Sequence, residues 1–234
     1  MIYIFDIDGT LTPSRNVIDP KFKTFFEYFI KKNKVWLITG SDKDKTVEQI
    51  GHNIWGGVDR VYQCSGNVKY EKGELVRKND WTAPEYLLEL LNKFLEDSKY
   101  EYRYGKHIEQ RTGMVNFSTV GRKCNQHQRD QYFIWDERHK EREAFAWEIR
   151  NRYPWLDATV GGEISIDIYR KGEDKGQILS EFDSPFIFFG DRLQPGGNDY
   201  AVKRAAIKQG RENGEFIEVK SWKDTFKFLS SIQT

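Results

Sequence analysis

Short apolar runs alternate with amphipathic stretches in the first part of the chain. Residues 2–5 form a run of strand length, and 20–32 follow with Phe22, Phe25, Phe26 and Phe29 at helical spacing. Residues 35–39 predict a second strand ending at Gly40, 44–50 a short helix, and 58–64 another strand before a turn at Ser65-Gly66-Asn67. This alternation predicts a parallel sheet with helices on both faces. Such sheets bind ligands at the carboxyl ends of their strands, where Asp6, Thr39 and Ser41 fall.

The middle follows another rhythm. Residues 85–95 predict an amphipathic helix, and 100–110 and 114–120 read as strands joined by a turn at Arg111-Thr112-Gly113. A long polar helical stretch spans 126–153, and its 136–143 portion is nearly all charged, which predicts a solvated face. Strands 156–160 and 164–169 follow, separated by Gly161-Gly162. Strands paired through short turns and packed on helices predict an antiparallel α+β unit. The first pattern then returns: strand 185–189 with Asp191 at its end, helix 199–209, strand 216–219 and helix 222–229. The economical reading is a discontinuous α/β core, 1–80 with 173–234, carrying an inserted α+β cap over 81–172.

Composition narrows the partners. Among 234 residues the net charge is only +1, with 31% charged residues of both signs. That balance speaks against a general nucleic-acid or membrane-surface binder, so neither partner is expected. No apolar run approaches the length of a membrane span. Cys64 and Cys124 lie outside any metal-ligand spacing and fit a reducing compartment. With a strand rather than a leader at its start, the chain is expected to be cytoplasmic.

The strongest chemical signal is Asp6-Ile7-Asp8-Gly9-Thr10-Leu11-Thr12, directly after a hydrophobic strand. Side chains alternate in an extended chain, so the two carboxylates can act on one centre while Ile7 points elsewhere. Asp6 can attack phosphorus and form an aspartyl phosphate. Asp8 can protonate the leaving oxygen and later deprotonate the incoming one. Gly9 and the turn after it let backbone N–H groups approach a phosphate.

This heptapeptide resembles the first motif of the haloacid dehalogenase superfamily of phosphotransferases, and the other motifs stand in the right order. Thr39-Gly40-Ser41 looks like the second, with either Thr39 or Ser41 supplying a hydroxyl to the transferring group. Lys175 in Asp174-Lys175-Gly176 looks like the third, a cation that neutralises nucleophile and phosphate. Gly190-Asp191, continuing to Gly197-Asn198-Asp199, looks like the fourth. The resemblance implies a magnesium ion held by Asp6, Asp191 and the backbone carbonyl of Asp8, with Asn198 and Asp199 supporting or joining them. It also implies a Rossmann-like core with an inserted cap.

Further residues resemble the eukaryotic-type phosphomannomutases over most of the chain. They are Thr12-Pro13-Ser14-Arg15, Gly40-Ser41-Asp42 with Lys45, Glu48-Gln49-Ile50-Gly51, Gln110 to Asn116, Val120-Gly121-Arg122, Arg129, and Gly161 to Asp167. What this implies is a phosphosugar grip from Arg15, Arg111, Arg122, Arg129, Ser165 and Asp167, a hexose 1,6-bisphosphate activator, and a homodimer formed through the cap. Arginine forks suit a distal phosphate, and Ser165 and Asp167, two apart on a strand, share one face for sugar hydroxyls. The chain departs from the family at Thr112, Thr119-Val120, Glu173 and Leu193, and around Lys203 and Ala205 it lacks the family's acidic segment. The expected activity is interconversion of hexose 6-phosphate and 1-phosphate. The alternatives are a sugar-phosphate phosphatase with the same Asp6 nucleophile, and a non-catalytic binding module.

Overall fold

The computed structural model describes residues 1–232. It divides into two compact units, one of Met1–Lys78 with the segment from Glu173 onward, the other Asn79–Gly172.

The first unit is built on β1 (Ile2–Asp6), α1 (Pro20–Lys32), β2 (Lys34–Ile38), α2 (Lys43–Gly57), β3 (Arg60–Gln63), β4 (Val68–Glu71) and β5 (Glu74–Lys78). Between these and its later elements, the second unit contributes α3 (Glu85–Asp97), β6 (Ile108–Arg111), β7 (Met114–Phe117), α4 (Gln126–His139), α5 (Glu141–Arg152), β8 (Leu156–Gly161) and β9 (Ser165–Arg170). The first unit then resumes with a 3₁₀ turn (Lys175–Glu181), β10 (Phe186–Gly190), α6 (Tyr200–Lys208), β11 (Gly214–Glu218) and α7 (Trp222–Ile232). Its sheet runs β11-β10-β1-β2-β3-β4-β5, parallel from β11 to β3 and antiparallel at β4 and β5.

Alternation along the central strands explains why both faces are covered. Phe5, Val35, Leu37, Ile187 and Phe189 pack beneath α1, α2 and α7, against Phe22, Phe26, Phe29, Ile50, Ile54 and Leu229. Their neighbours Ile2, Ile4, Trp36, Ile38, Phe186 and Phe188 face Ile178, Leu179, Val202 and Ala206. Strands apolar on both faces are what a parallel sheet between two helical layers requires. The helical phenylalanines of 20–32 fulfil the expectation from their spacing, and Asp19 caps that helix by accepting from Lys21 N and Phe22 N.

In the second unit a four-stranded antiparallel sheet, β6-β7-β9-β8, buries one face against α3 and α5. Val115, Phe117, Ile166 and Ile168 meet Leu87, Leu91, Phe94, Ala146 and Ile149 there. The residues between them, Glu109, Arg111, Asn116, Ser165 and Asp167, alternate onto the other, polar face. The expected α/β class, with a parallel-dominated sheet and a separate antiparallel one, is met.

Several local expectations are corrected. Residues 100–107 are irregular, so the strand expected over 100–110 starts only at Ile108, and the next one ends at Phe117 rather than 120. The helix expected at 44–50 continues to Gly57, through a kink where Gly51 takes φ 79°. The hairpin β4–β5 was not expected. The long helix over 126–153 breaks at Lys140, which takes a left-handed φ of 55°. The charged 136–143 portion is a solvated face only in part: Glu137, Arg138, His139, Lys140 and Glu143 are exposed, whereas Asp136, Glu141 and Arg142 are buried. The break folds Arg142 back so that its Nε donates to Asp136 Oδ2 at 2.7 Å, and a paired, hydrogen-bonded charge can be buried.

Candidate active site

Three strand ends bring the core residues together. Asp6 ends β1, Thr39 follows β2, and Asp191 follows β10. These strands are adjacent, with Asp6 in register with Ile38 and Phe5 with Phe189. Lys175 opens its 3₁₀ turn where Asp174 accepts from Gly176 N at 2.8 Å. Its ammonium, 1% exposed, donates to Asp6 Oδ1 at 2.6 Å and to Asp199 Oδ1 at 2.7 Å. Asp199 also accepts from Arg192 N at 3.2 Å. Gly9 sits against this group in the left-handed region at φ 82°, where a Cβ would press on Asp191 Oδ2. A backbone that close to a carboxylate at positive φ requires glycine.

The electrostatics are lopsided. Asp6, Asp191 and Asp199 each place a carboxylate oxygen within 4.8 Å of the others, with one ammonium among them. Burial pushes the Asp6 carboxyl well above its ordinary range against the pull of Lys175, and Asp199 and Asp191 push it further. Burial, then Asp199, also raises Asp191, to about 6. Lys175 is raised, because Asp199 and Asp6 outweigh the desolvation that works against its charge. An excess of hard oxygen donors that repel one another suits a hard dication, so these residues fit magnesium. Asp8 belongs to a different set of contacts: its Oδ1 accepts from Arg15 N at 2.6 Å and from Gln49 Nε2 at 2.9 Å. Asn198 is exposed in the loop before α6.

The second motif is tied from behind. Thr39 Oγ1 accepts from Ser41 N at 3.1 Å, while Ser65 N and Cys64 N donate to the carbonyls of Thr39 and Ser41. Cys64 and Ser65 adopt φ 48° and 59° to do so. Thr39 is buried and Ser41 partly exposed, and both stand beside the Asp6 strand end.

In the second unit Arg111, Arg122 and Ser165 are linked around Glu109, whereas Asp167 and Arg129 have partners of their own. Arg111 Nε and Nη2 donate to Glu109 Oε2 at 2.9 and 2.5 Å, and Arg122 Nε lies 3.8 Å from the same oxygen. Arg122 Nη1 donates to Ser165 Oγ at 3.1 Å. Burial would raise the Glu109 carboxyl, yet Arg111, with Arg122 and Lys106, holds it below the ordinary range. Asp167 Oδ1 accepts from Asn116 Nδ2 at 2.6 Å. Arg129 is 8% exposed and its Nη1 meets Glu163 Oε2 at 3.4 Å. Arg15 belongs to the core unit, exposed, with φ 60°. Sequence reasoning gave no role to Glu109, Asn116, Glu163 or Gln49. For Glu109 a signal existed, its i, i+2 spacing to Arg111 on one strand face; for the others only the fold supplies it.

Comparison with known proteins follows the same lines. A family model described as eukaryotic phosphomannomutase matches residues 22–233. A phosphomannomutase of Dendrobium officinale is 37% identical over 212 residues, covering 86% of this chain and 84% of that protein. Those of Glycine max and Drosophila melanogaster are 34% and 32% identical, each over 86% of this chain and over 86% and 85% of their own length. Among solved structures, an IMP-bound, N-terminally truncated IMP-nucleotidase of Plasmodium falciparum aligns at TM-score 0.64 and 16% identity, over 99% of this chain and 68% of that one. The C-terminal domain of C. albicans trehalose-6-phosphate phosphatase aligns at TM-score 0.61 and 16% identity, over 94% and 80%. At this identity these structures speak for the fold alone.

Proposed function

The chain belongs to the eukaryotic phosphomannomutase family, and from that premise we propose that it moves a phosphoryl group between C6 and C1 of a hexose such as mannose. Asp6 is the carrier in this reading. Lys175 takes up Asp6 Oδ1, which leaves Oδ2 as the nucleophilic oxygen. That oxygen forms a bond to phosphorus while the ester P–O bond breaks, and Asp8 gives its proton to the departing hydroxyl oxygen. In reverse, Asp8 takes the proton of the incoming hydroxyl as phosphoryl leaves Asp6. A hexose 1,6-bisphosphate is the intermediate between the two ester positions, and the same compound primes the enzyme.

Magnesium held by Asp6, Asp191 and the carbonyl of Asp8, with Asp199 and Asn198 beside them, would neutralise the charge that otherwise keeps carboxylate and phosphate apart. Thr39 or Ser41 supplies a hydroxyl to the transferring group, and Arg15, Arg111, Arg122, Arg129, Ser165 and Asp167 hold the sugar and its second phosphate. The observation that carries the reading is the buried Lys175 ammonium clamped between Asp6 and Asp199 at one strand end. No helix among the described residues is long and apolar enough to cross a membrane.

Phosphorus NMR tests it. The chain with magnesium, mannose 1-phosphate and a trace of glucose 1,6-bisphosphate should yield mannose 6-phosphate with little free phosphate, and chelation should stop it. Free phosphate as the main product would replace the mutase with a sugar-phosphate phosphatase.

A further inference from the structure

Gln49 lies on α2 with its amide turned toward the first motif, 1% exposed. Its Nε2 donates to Asp8 Oδ1 at 2.9 Å and to Thr12 Oγ1 at 3.2 Å, and its backbone carbonyl accepts from Ile18 N at 2.8 Å. Its Oε1 is buried without a hydrogen-bond partner. The opposite amide orientation would set that oxygen against the Asp8 carboxylate, so the donors must face Asp8. A stranded buried carbonyl costs stability that an apolar side chain of the same size would not lose. Packing alone therefore does not account for glutamine here, whereas its two donated bonds do.

Lys45 stands one turn earlier on the same helix face. Its Nζ donates to Arg15 O at 3.2 Å, and Arg15, in the left-handed region at φ 60°, donates its own N–H to Asp8 Oδ1 at 2.6 Å. A non-glycine residue keeps such a conformation only when its surroundings hold it. Both donors to Asp8 Oδ1 are thus fixed by α2, one directly and one through the Arg15 loop.

We propose that Gln49 is a positioning residue which, with Lys45 behind Arg15, orients the Asp8 carboxyl for proton transfer. With Oδ1 occupied by two donors, Oδ2 is the oxygen that carries the proton to the leaving group and removes it from the incoming hydroxyl. This rests on the reading of Asp8 as the acid–base group, and the test separates the two.

Gln49→Met keeps the volume and removes the donors; Gln49→Glu keeps the shape and is the second variant should the first not fold, which the melting midpoint reports. Each is compared with Asp8→Asn on two donors, a hexose phosphate and 4-nitrophenyl phosphate, whose leaving group needs no proton. Gln49→Met should lower hexose-phosphate kcat on the order of 10- to 100-fold with KM little changed. The initial burst of nitrophenol should stay within about twofold of the parent, since that step needs no acid. Equal losses on both donors, or no loss on the hexose phosphate, would overturn the role of Gln49. Should Asp8→Asn itself fail to discriminate between the donors, the acid–base reading of Asp8 falls first.

Discussion

Replacing Arg142 by methionine removes one half of the ion pair that joins α4 to α5. The Arg142 and Asp136 side chains are 3% and 4% exposed, with Nε to Oδ2 at 2.7 Å. Arg142 also donates its backbone N–H to Asp136 Oδ1 at 2.9 Å and its Nη1 to Gly162 O at 3.1 Å. Methionine retains most of the apolar stem but withdraws the charge from Asp136 and a donor from Gly162. Breaking a buried pair in this way costs roughly 3–5 kcal/mol, whereas an exposed pair is worth roughly 0–1. In a domain of roughly 60–100 residues each kcal/mol moves the melting midpoint by about 4–8 °C. The cap transition in calorimetry should therefore fall by at least about 12 °C. Replacing both partners, Asp136→Leu with Arg142→Met, should recover most of that loss, because neither charge is then stranded. A fall of less than about 4 °C in the single variant would refute the reasoning and give this pair the weight of an exposed one.

Two further outcomes follow from the same geometry. Burial would raise Glu181, but hydrogen bonds from Lys69 and Tyr62, with the charges of Arg77 and Lys69, hold it below its ordinary 4.5. Its stabilisation is present above that value and disappears as pH falls below it, so in urea Glu181→Gln should be less stable than the parent at pH 7 and converge with it in acid. Gly9→Ala would force a Cβ onto Asp191 Oδ2 at a φ that alanine resists, and should lower turnover on the order of tenfold or more with substrate affinity less affected.

The sequence exposed the core and its strand ends because local signals and tertiary demands agree there. Phe22, Phe26 and Phe29 repeat with the helix, the central strands are apolar on both faces, and the motifs at Asp6, Thr39 and Asp191 each follow an apolar run. The cap was harder to read because its decisive interactions are long-range. Nothing local marks Lys140 as a left-handed break, and without that break 136–143 reads as one charged helical surface. The aromatic residues at 100, 102 and 104 suggest a strand, yet the segment is irregular; Tyr100 packs in a small cluster with Val120, Cys124, Tyr132 and Ile164. Of the site, Asp6, Lys175, Asp191 and Asp199 could be placed from motif order and are brought together by the fold. Their supports could not: Gln49 is 41 residues from Asp8 in sequence, and Glu163 is 34 from Arg129.

The claim that most needs testing is that phosphate passes through Asp6. Chain quenched in acid during turnover of hexose 1,6-bisphosphate, digested and examined by mass spectrometry, should carry a phosphate on Asp6 that hydroxylamine removes. The Asp6→Asn variant should carry none and turn over no substrate. Turnover in that variant, or a label on any residue other than Asp6, would contradict the account.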